Sequence, residues 1–248
     1  FLFDLNLTDK IVKQSKPLAS TIIEVGSGPG SLTRSILKIK SAIVFAIDKD
    51  IQSEKMLREL NIIYKDRLRI VIDDALNYPI WNLGEAPRQV IANLPYNVGT
   101  KMLVTWLKHI KNFDLLTLMF QKEVAERIVA KPGSKNYGRL SILTNWLTES
   151  SKLFDVPSEA FIPRPKVKSS VIQLKPLSKP LYDVSFEALE KITHLAFSQR
   201  RKMLRSSLRG INGKKILEDL NISPNLRPEN LSIIDFCKLA EKSIQFKN

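Results

Sequence analysis

The stretch Thr21-Ile22-Ile23-Glu24-Val25-Gly26-Ser27-Gly28-Pro29-Gly30-Ser31 decides how this chain reads. Its first five residues are β-branched or apolar around one acid and predict a strand. They run directly into a glycine-rich turn, and from Ser31 to Ile39 apolar residues recur at spacings of three and four, which predicts a helix. Glycines are needed where a tight strand-to-helix turn lets a ligand approach the backbone, and the helix N-terminus offers unpaired amide donors. The spacing Gly26-x-Gly28-x-Gly30 departs from the dinucleotide fingerprint G-x-G-x-x-G. Glu24, at the strand end, would repel a pyrophosphate but suits a ligand carrying an ammonium group.

Outward from this stretch the same alternation continues. Strands are predicted at Ala42 to Asp48, Leu68 to Asp74, Arg88 to Leu94 and Asp114 to Gln121. Helices are predicted at Ile51 to Asn61, Gly99 to Ile110 and Lys122 to Ala130. Strands alternating with helices argue for a parallel sheet covered on both faces, an α/β domain. After residue 150 two short β-like runs, Ser151 to Val156 and Ser170 to Leu174, flank the proline-rich segment Phe161-Ile162-Pro163-Arg164-Pro165-Lys166. Those prolines cannot donate to a ladder and mark a stiff loop. Lys175 to Pro180 reads as a linker, and from about Ser185 only helical patterns remain, with Pro228 expected in the first turn of the last helix.

The composition bounds the function. The 248 residues carry a net charge of +14, of which residues 1–180 hold +10 and residues 181–248 hold +4. An excess of this size favours a polyanionic partner. With 44% hydrophobic residues and no low-complexity run the chain is globular rather than disordered. No apolar run approaches the roughly 18 residues of a membrane span. The single Cys237 forms no internal disulfide, and His109 and His194 stand apart, so no metal site is expected. The chain opens at Phe1 without a signal-peptide pattern, and native residues are expected upstream. A cytoplasmic protein is expected.

Three acids follow the glycine turn at successive strand ends: Asp48, 22 residues after Gly26, then Asp73 and Asp74 before Ala75. Asp48 is placed to accept from both hydroxyls of a ribose, and a carboxylate at the third strand end from an adenine amine. Together they describe a nucleoside cofactor without phosphates and with an amino-acid tail, which S-adenosylmethionine satisfies.

The fourth strand ends in Asn93-Leu94-Pro95-Tyr96 at the same edge. Attack of an adenine exocyclic amine on a sulfonium methyl needs a nitrogen lone pair that is otherwise delocalised into the ring. Two acceptors on the amine hydrogens, the Asn93 side-chain oxygen and a backbone carbonyl at Leu94 or Pro95, would favour a pyramidal nitrogen, and Tyr96 can stack on the base. Such a site works by positioning and electrostatics and needs no strong general base.

Glu24-Val25-Gly26-Ser27-Gly28-Pro29-Gly30, Asp48, Asp74, Asn93-Leu94-Pro95-Tyr96, Gln121-Lys122-Glu123-Val124, Asn136-Tyr137-Gly138-Arg139-Leu140-Ser141 and Phe161-Ile162-Pro163-Arg164-Pro165-Lys166-Val167 together resemble the ribosomal RNA adenine dimethyltransferase family, in its bacterial small-subunit branch. The resemblance runs over essentially the whole chain. It implies a Rossmann-like methyltransferase domain over residues 1–180 and a small all-helical domain over residues 181–248. It also implies dimethylation of two adjacent adenosines in the hairpin near the 3′ end of small-subunit rRNA. By the same resemblance Leu2, Gly26, Asp48, Asp74 and Asn93 contact the cofactor, Gly26 on the methionine part, Asp48 on the ribose and Asp74 with the Ala75 backbone on the adenine. Asn93 and Tyr96 then hold the target base and Phe161 stacks on its other face. The family's Gln-Asn-Phe-Leu entry is represented here only by Phe1-Leu2, and Asp48 stands where Glu is common.

Two acid-free basic runs complete the reading. Arg164 to Lys179 includes Arg164, Lys166 and Lys168; Ser198 to Lys215 includes Arg200, Arg201, Lys202 and Arg205. Both are expected to contact RNA phosphates on the walls of a cleft, as part of a monomer acting on an immature small subunit. Two rivals remain: a large-subunit rRNA adenine methyltransferase of the macrolide-resistance type, and a non-catalytic RNA-binding assembly factor.

Overall fold

The computed structural model describes residues 1–245. Its strands are β1 (Thr21–Val25), β2 (Ile43–Asp48), β3 (Leu68–Ile72), β4 (Arg88–Asn93), β5 (Leu115–Gln121), β6 (Thr148–Val156) and β7 (Ser169–Pro176). They form one sheet in the order β3-β2-β1-β4-β5-β7-β6. The first five run parallel, and β7 pairs antiparallel with β5. The order reverses between β1 and β4. Chains leaving these two strands turn to opposite sides, which opens a crevice at their carboxyl ends.

The burial of each strand follows its place in the sheet. All five residues of β1 are buried, as are the middle four of β4 and the first six of β5. A strand covered on both faces has no need of polar alternation, so these central strands read as continuous apolar runs.

The helices are α1 (Leu5–Gln14), α2 (Ser31–Leu37), α3 (Ile51–Tyr64), α4 (Gly99–Lys108), α5 (Lys122–Ile128), α6 (Arg139–Leu147), α7 (Phe186–Ser198), α8 (Leu204–Ser207), α9 (Gly213–Asp219) and α10 (Ile233–Gln245). β1 matches its expected span. β3 and β4 stop short of it, leaving Asp73, Asp74 and Leu94 in the turns beyond the strand ends. Two helices, α1 and α6, lie where no helix was expected. Pro228 opens a separate 3-10 turn rather than the last helix. That helix begins at Ile233 because Ser232 and Asp235 cap it reciprocally: Asp235 N donates to Ser232 Oγ at 3.1 Å and Ser232 N donates to Asp235 Oδ2 at 3.0 Å.

Contacts divide the chain into two compact units. The first holds Phe1–Ala125 and Glu149–Pro176, and therefore nearly all of the sheet. The second holds Glu126–Thr148 together with the chain from Leu177 onward. The second boundary falls close to the expected one at 180, whereas residues 126–148, expected with the sheet, cluster with the helices. The reason lies in side-chain contacts from α6. Arg139 pairs with Glu190 of α7 at 2.6 Å, and Trp146 Nε1 donates to the Tyr182 carbonyl at 2.8 Å. Leu177 N donates to the Leu147 carbonyl at 2.9 Å, so the expected linker begins inside hydrogen-bonded structure. No helix among the described residues is long and apolar enough to cross a membrane.

Candidate active site

A cavity of about 390 Å³ opens at the carboxyl ends of the strands in the first unit. Gly26, Asp48, Asp74, Ala75, Asn93, Leu94, Pro95, Tyr96 and Phe161 all line it, so the residues singled out at four strand ends and in the proline loop converge on one space.

The glycine turn is built by backbone geometry that only glycine adopts without strain. Gly26 has φ +76°, and its N–H donates to the Ile47 carbonyl at 2.8 Å, tying the end of β1 to β2. A Cβ on Gly26 would sit 3.5 Å from the Asn93 carbonyl, so the turn passes close to the end of β4. Asp48 is held from two sides: Gly28 N donates to its Oδ2 at 2.8 Å and Asp50 N to its Oδ1 at 3.0 Å. Each oxygen keeps a second lone pair, so the carboxylate is aimed in advance and still able to accept from a diol. Asp74 closes its own turn by accepting from Leu76 N at 3.0 Å, while Asp73 accepts from Asp74 N at 2.7 Å.

At the end of β4 the available acceptors can be named. The side-chain amide of Asn93 has no partner among the described residues. The Pro95 carbonyl is occupied, accepting from Gly99 N at 2.9 Å and Val98 N at 3.3 Å to start α4. The Leu94 carbonyl has no such bond. Of the two backbone acceptors considered from sequence, Leu94 is therefore the one free to receive an amine hydrogen. Tyr96 is 37% exposed, and its hydroxyl lies 2.8 Å from Ser169 Oγ. Phe161 lines the cavity while remaining largely buried, and it bridges antiparallel to Leu2.

Three residues expected at the cofactor are not among those lining the cavity. Glu24 is fully buried and accepts from Thr33 Oγ1 at 2.5 Å. Thr33 is the third residue of α2, so this hydroxyl bond ties the end of β1 to the first turn of the helix that follows. Burial pushes its carboxyl up to about 8, against the lowering effect of Thr33, and the nearby Asp48 charge adds to the rise. Gly28 lies beneath the ring of Phe1: a Cβ there would stand 2.6 Å from that ring. Leu2 is buried in the apolar core with Ile11 and Val12.

Other lining residues were not selected from sequence. Asp73 was counted among the strand-end acids without a contact of its own, and the two prolines Pro163 and Pro165 were read only as a stiff loop; Phe1, Lys49, Asn97, Val98 and Met102 also line it. Met102 carries only the signature of a helix core face, which is also what it is.

The expected RNA-contacting residues sit on the surface. Lys166 and Lys168 are exposed in the first unit, and Arg164 is exposed but paired with Glu159, just upstream of the acid-free run. In the second unit Arg200, Arg201, Lys202 and Arg205 are exposed. Arg200 donates to the Lys135 carbonyl. A cleft of about 680 Å³ in that unit is lined by Lys202, Arg205, Arg209 and Lys214 with Gln199, Ser206, Asn212 and Gly213, and by no acid.

The family model described as ribosomal RNA adenine dimethylase matches residues 1–245. The ribosomal RNA small subunit methyltransferase A of Agrobacterium fabrum is 49% identical over 247 residues, covering 97% of this chain and 89% of that protein. Its counterpart from Rhodospirillum rubrum is 45% identical over 242 residues, covering 97% and 84%. Among solved structures, a dimethyladenosine transferase from Plasmodium falciparum superposes with a TM-score of 0.85 at 25% identity, covering 100% of this chain and 98% of that one. The 23S rRNA methyltransferase ErmE shares the fold, with a TM-score of 0.72 at 23% identity and coverage of 99% and 100%. The chain belongs to the ribosomal RNA adenine dimethylase family.

Proposed function

We propose that the protein is an S-adenosylmethionine-dependent methyltransferase that dimethylates the exocyclic amines of two adjacent adenosines in the 3′-terminal hairpin of small-subunit rRNA. It acts as a cytoplasmic monomer on an immature small subunit. The observation that carries this reading is the pair of unengaged acceptors, the Asn93 amide oxygen and the Leu94 carbonyl, in a cavity shared with the glycine turn and Asp48.

The residues present fit the cofactor. The cavity volume falls within the range of about 300 to 1,000 Å³ usual for small-molecule sites. Gly26 leaves room for a ligand against the backbone, Asp48 is oriented toward a diol, and Asp74 with Ala75 lines the place for an adenine. When bound, S-adenosylmethionine supplies an electrophilic methyl on a sulfonium.

The chain's own residues then do three things. Asn93 and Leu94 accept the two amine hydrogens, which directs the nitrogen lone pair out of the ring plane. Tyr96 and Phe161 hold a base taken out of its stack between aromatic faces. Fixed dipoles around the reacting atoms need no reorganisation as the nitrogen–carbon bond forms and the carbon–sulfur bond breaks. The alkylated nitrogen is acidic enough to lose its proton to water, and no histidine lines the cavity. After the first transfer one hydrogen remains on the nitrogen, so the second transfer proceeds with one acceptor bond rather than two.

Arg164, Lys166 and Lys168, and separately Arg200, Arg201, Lys202 and Arg205, are the proposed contacts to RNA phosphates. The test is transfer of labelled methyl to under-methylated small subunits. Asn93→Ala should abolish transfer and leave RNA binding intact; retained transfer would remove Asn93 from the mechanism.

A further inference from the structure

Tyr96 follows the end of β4 on a segment with no strand partner, and more than a third of it faces solvent. An aromatic side chain in that setting ordinarily samples several rotamers, and water alone can satisfy its hydroxyl. Here its far end is tethered instead. The Tyr96 hydroxyl lies 2.8 Å from Ser169 Oγ, and Ser169 is completely buried.

The tether is anchored firmly. Ser169 is the first residue of β7 and pairs with Gln121 at the end of β5. The next residue, Ser170, donates to Asp155 Oδ1 at 2.7 Å. Asp155 is itself paired with Lys122 at 2.9 Å and Lys152 at 3.1 Å. The position of Ser169 is thus fixed by a strand ladder on one side and an ion-pair cluster through its neighbour, while the ring it holds stands in the cavity wall beside Asn93 and Leu94.

We propose that Ser169 is a positioning residue for methyl transfer, fixing the plane of the Tyr96 ring so that an entering adenine meets it already oriented. This rests on the reading of Tyr96 as the aromatic that stacks on the target base. The hydroxyl of Ser169 touches neither cofactor nor base; it acts through Tyr96 alone. A ring that is free to swing costs rate in the bound complex, because the base is then held less often with its amine in line.

The test is a mutant cycle in the full chain: Ser169→Ala, Tyr96→Phe, the double variant, and Tyr96→Ala as the reference for losing the ring. Single-turnover transfer is measured with saturating S-adenosylmethionine and under-methylated small subunits, beside cofactor affinity, RNA affinity and thermal unfolding. Ser169→Ala and Tyr96→Phe should each slow transfer roughly three- to tenfold, the worth of one hydrogen bond. The double variant should be no slower than either single one, and both binding constants should stay within about twofold. Tyr96→Ala should fall much further. Wild-type rate in Ser169→Ala with a strong loss in Tyr96→Ala would overturn the role of Ser169 and leave the stacking reading standing. Multiplying losses in the double variant would also overturn it, since the two groups would then act separately. Wild-type rate in Tyr96→Ala would overturn both.

Discussion

Thr33 Oγ1 donates a 2.5 Å hydrogen bond to Glu24 Oε2, so the acid that opens the glycine motif serves the helix that follows it rather than the cavity in front. Burial holds this carboxyl protonated up to about pH 8, far above an ordinary glutamate in the unfolded chain. The folded state therefore binds one more proton than the unfolded state between about pH 4.5 and 8. The stabilisation is complete below that window and is lost as pH rises through it, at no more than about 1.4 kcal/mol per pH unit. Glu24→Gln keeps an acceptor for Thr33 and removes the titration. Melts from pH 5 to 9 should show the wild type losing stability relative to Glu24→Gln; parallel curves would refute the assignment.

Gly28 and Phe1 make a second testable contact. Gly28 has φ +48°, and a Cβ there would stand 2.6 Å from the Phe1 ring. Gly28→Ala must strain the backbone and displace the ring from the cavity wall. We expect a loss of about 1 kcal/mol in stability together with a several-fold weaker cofactor affinity, read by calorimetry. Unchanged cofactor affinity would show that the Phe1 ring takes no part in that wall.

Asp48 is oriented by two backbone donors, Gly28 N and Asp50 N. Asn in its place presents one oxygen and one NH₂, so one of those donors meets another donor. Asp48→Asn should weaken S-adenosylmethionine binding about tenfold or more and leave RNA affinity unchanged. A loss confined to RNA binding would move Asp48 out of the cofactor site.

Phosphate contacts should make RNA affinity fall steeply with salt while cofactor affinity barely changes. Replacing Lys202 or Arg205 with Gln should reduce the slope of log affinity against log salt by about 1 each. A slope unchanged in both variants would exclude the acid-free cleft of the second unit as a phosphate contact.

Sequence reading placed residues well where their position depends on chain-local geometry. β1 and its glycine turn, the acids at successive strand ends and Asn93 at the end of β4 are local consequences of a parallel sheet, and they meet at one edge. Helix α6 escaped because residues 141–147 are all buried, and a helix covered on every side shows no amphipathic stripe. Helix α1 was missed although its buried residues Thr8, Ile11 and Val12 fall at helical spacing; Thr8, whose hydroxyl lies 2.8 Å from Ser35 Oγ, is the one polar residue among them. Glu24 was assigned to the ligand because nothing in the chain order shows that its acceptor is used by Thr33, nine residues on. The choice between Leu94 and Pro95 likewise required the start of α4, where Gly99 claims the Pro95 carbonyl.

The central claim is the target nucleotide. Under-methylated small subunits incubated with the protein and labelled S-adenosylmethionine should carry dimethyladenosine at two adjacent positions in the 3′-terminal hairpin of their rRNA, with none formed by Asn93→Ala. Absence of incorporation on both naked RNA and immature subunits, or modification confined to large-subunit rRNA, would contradict the account.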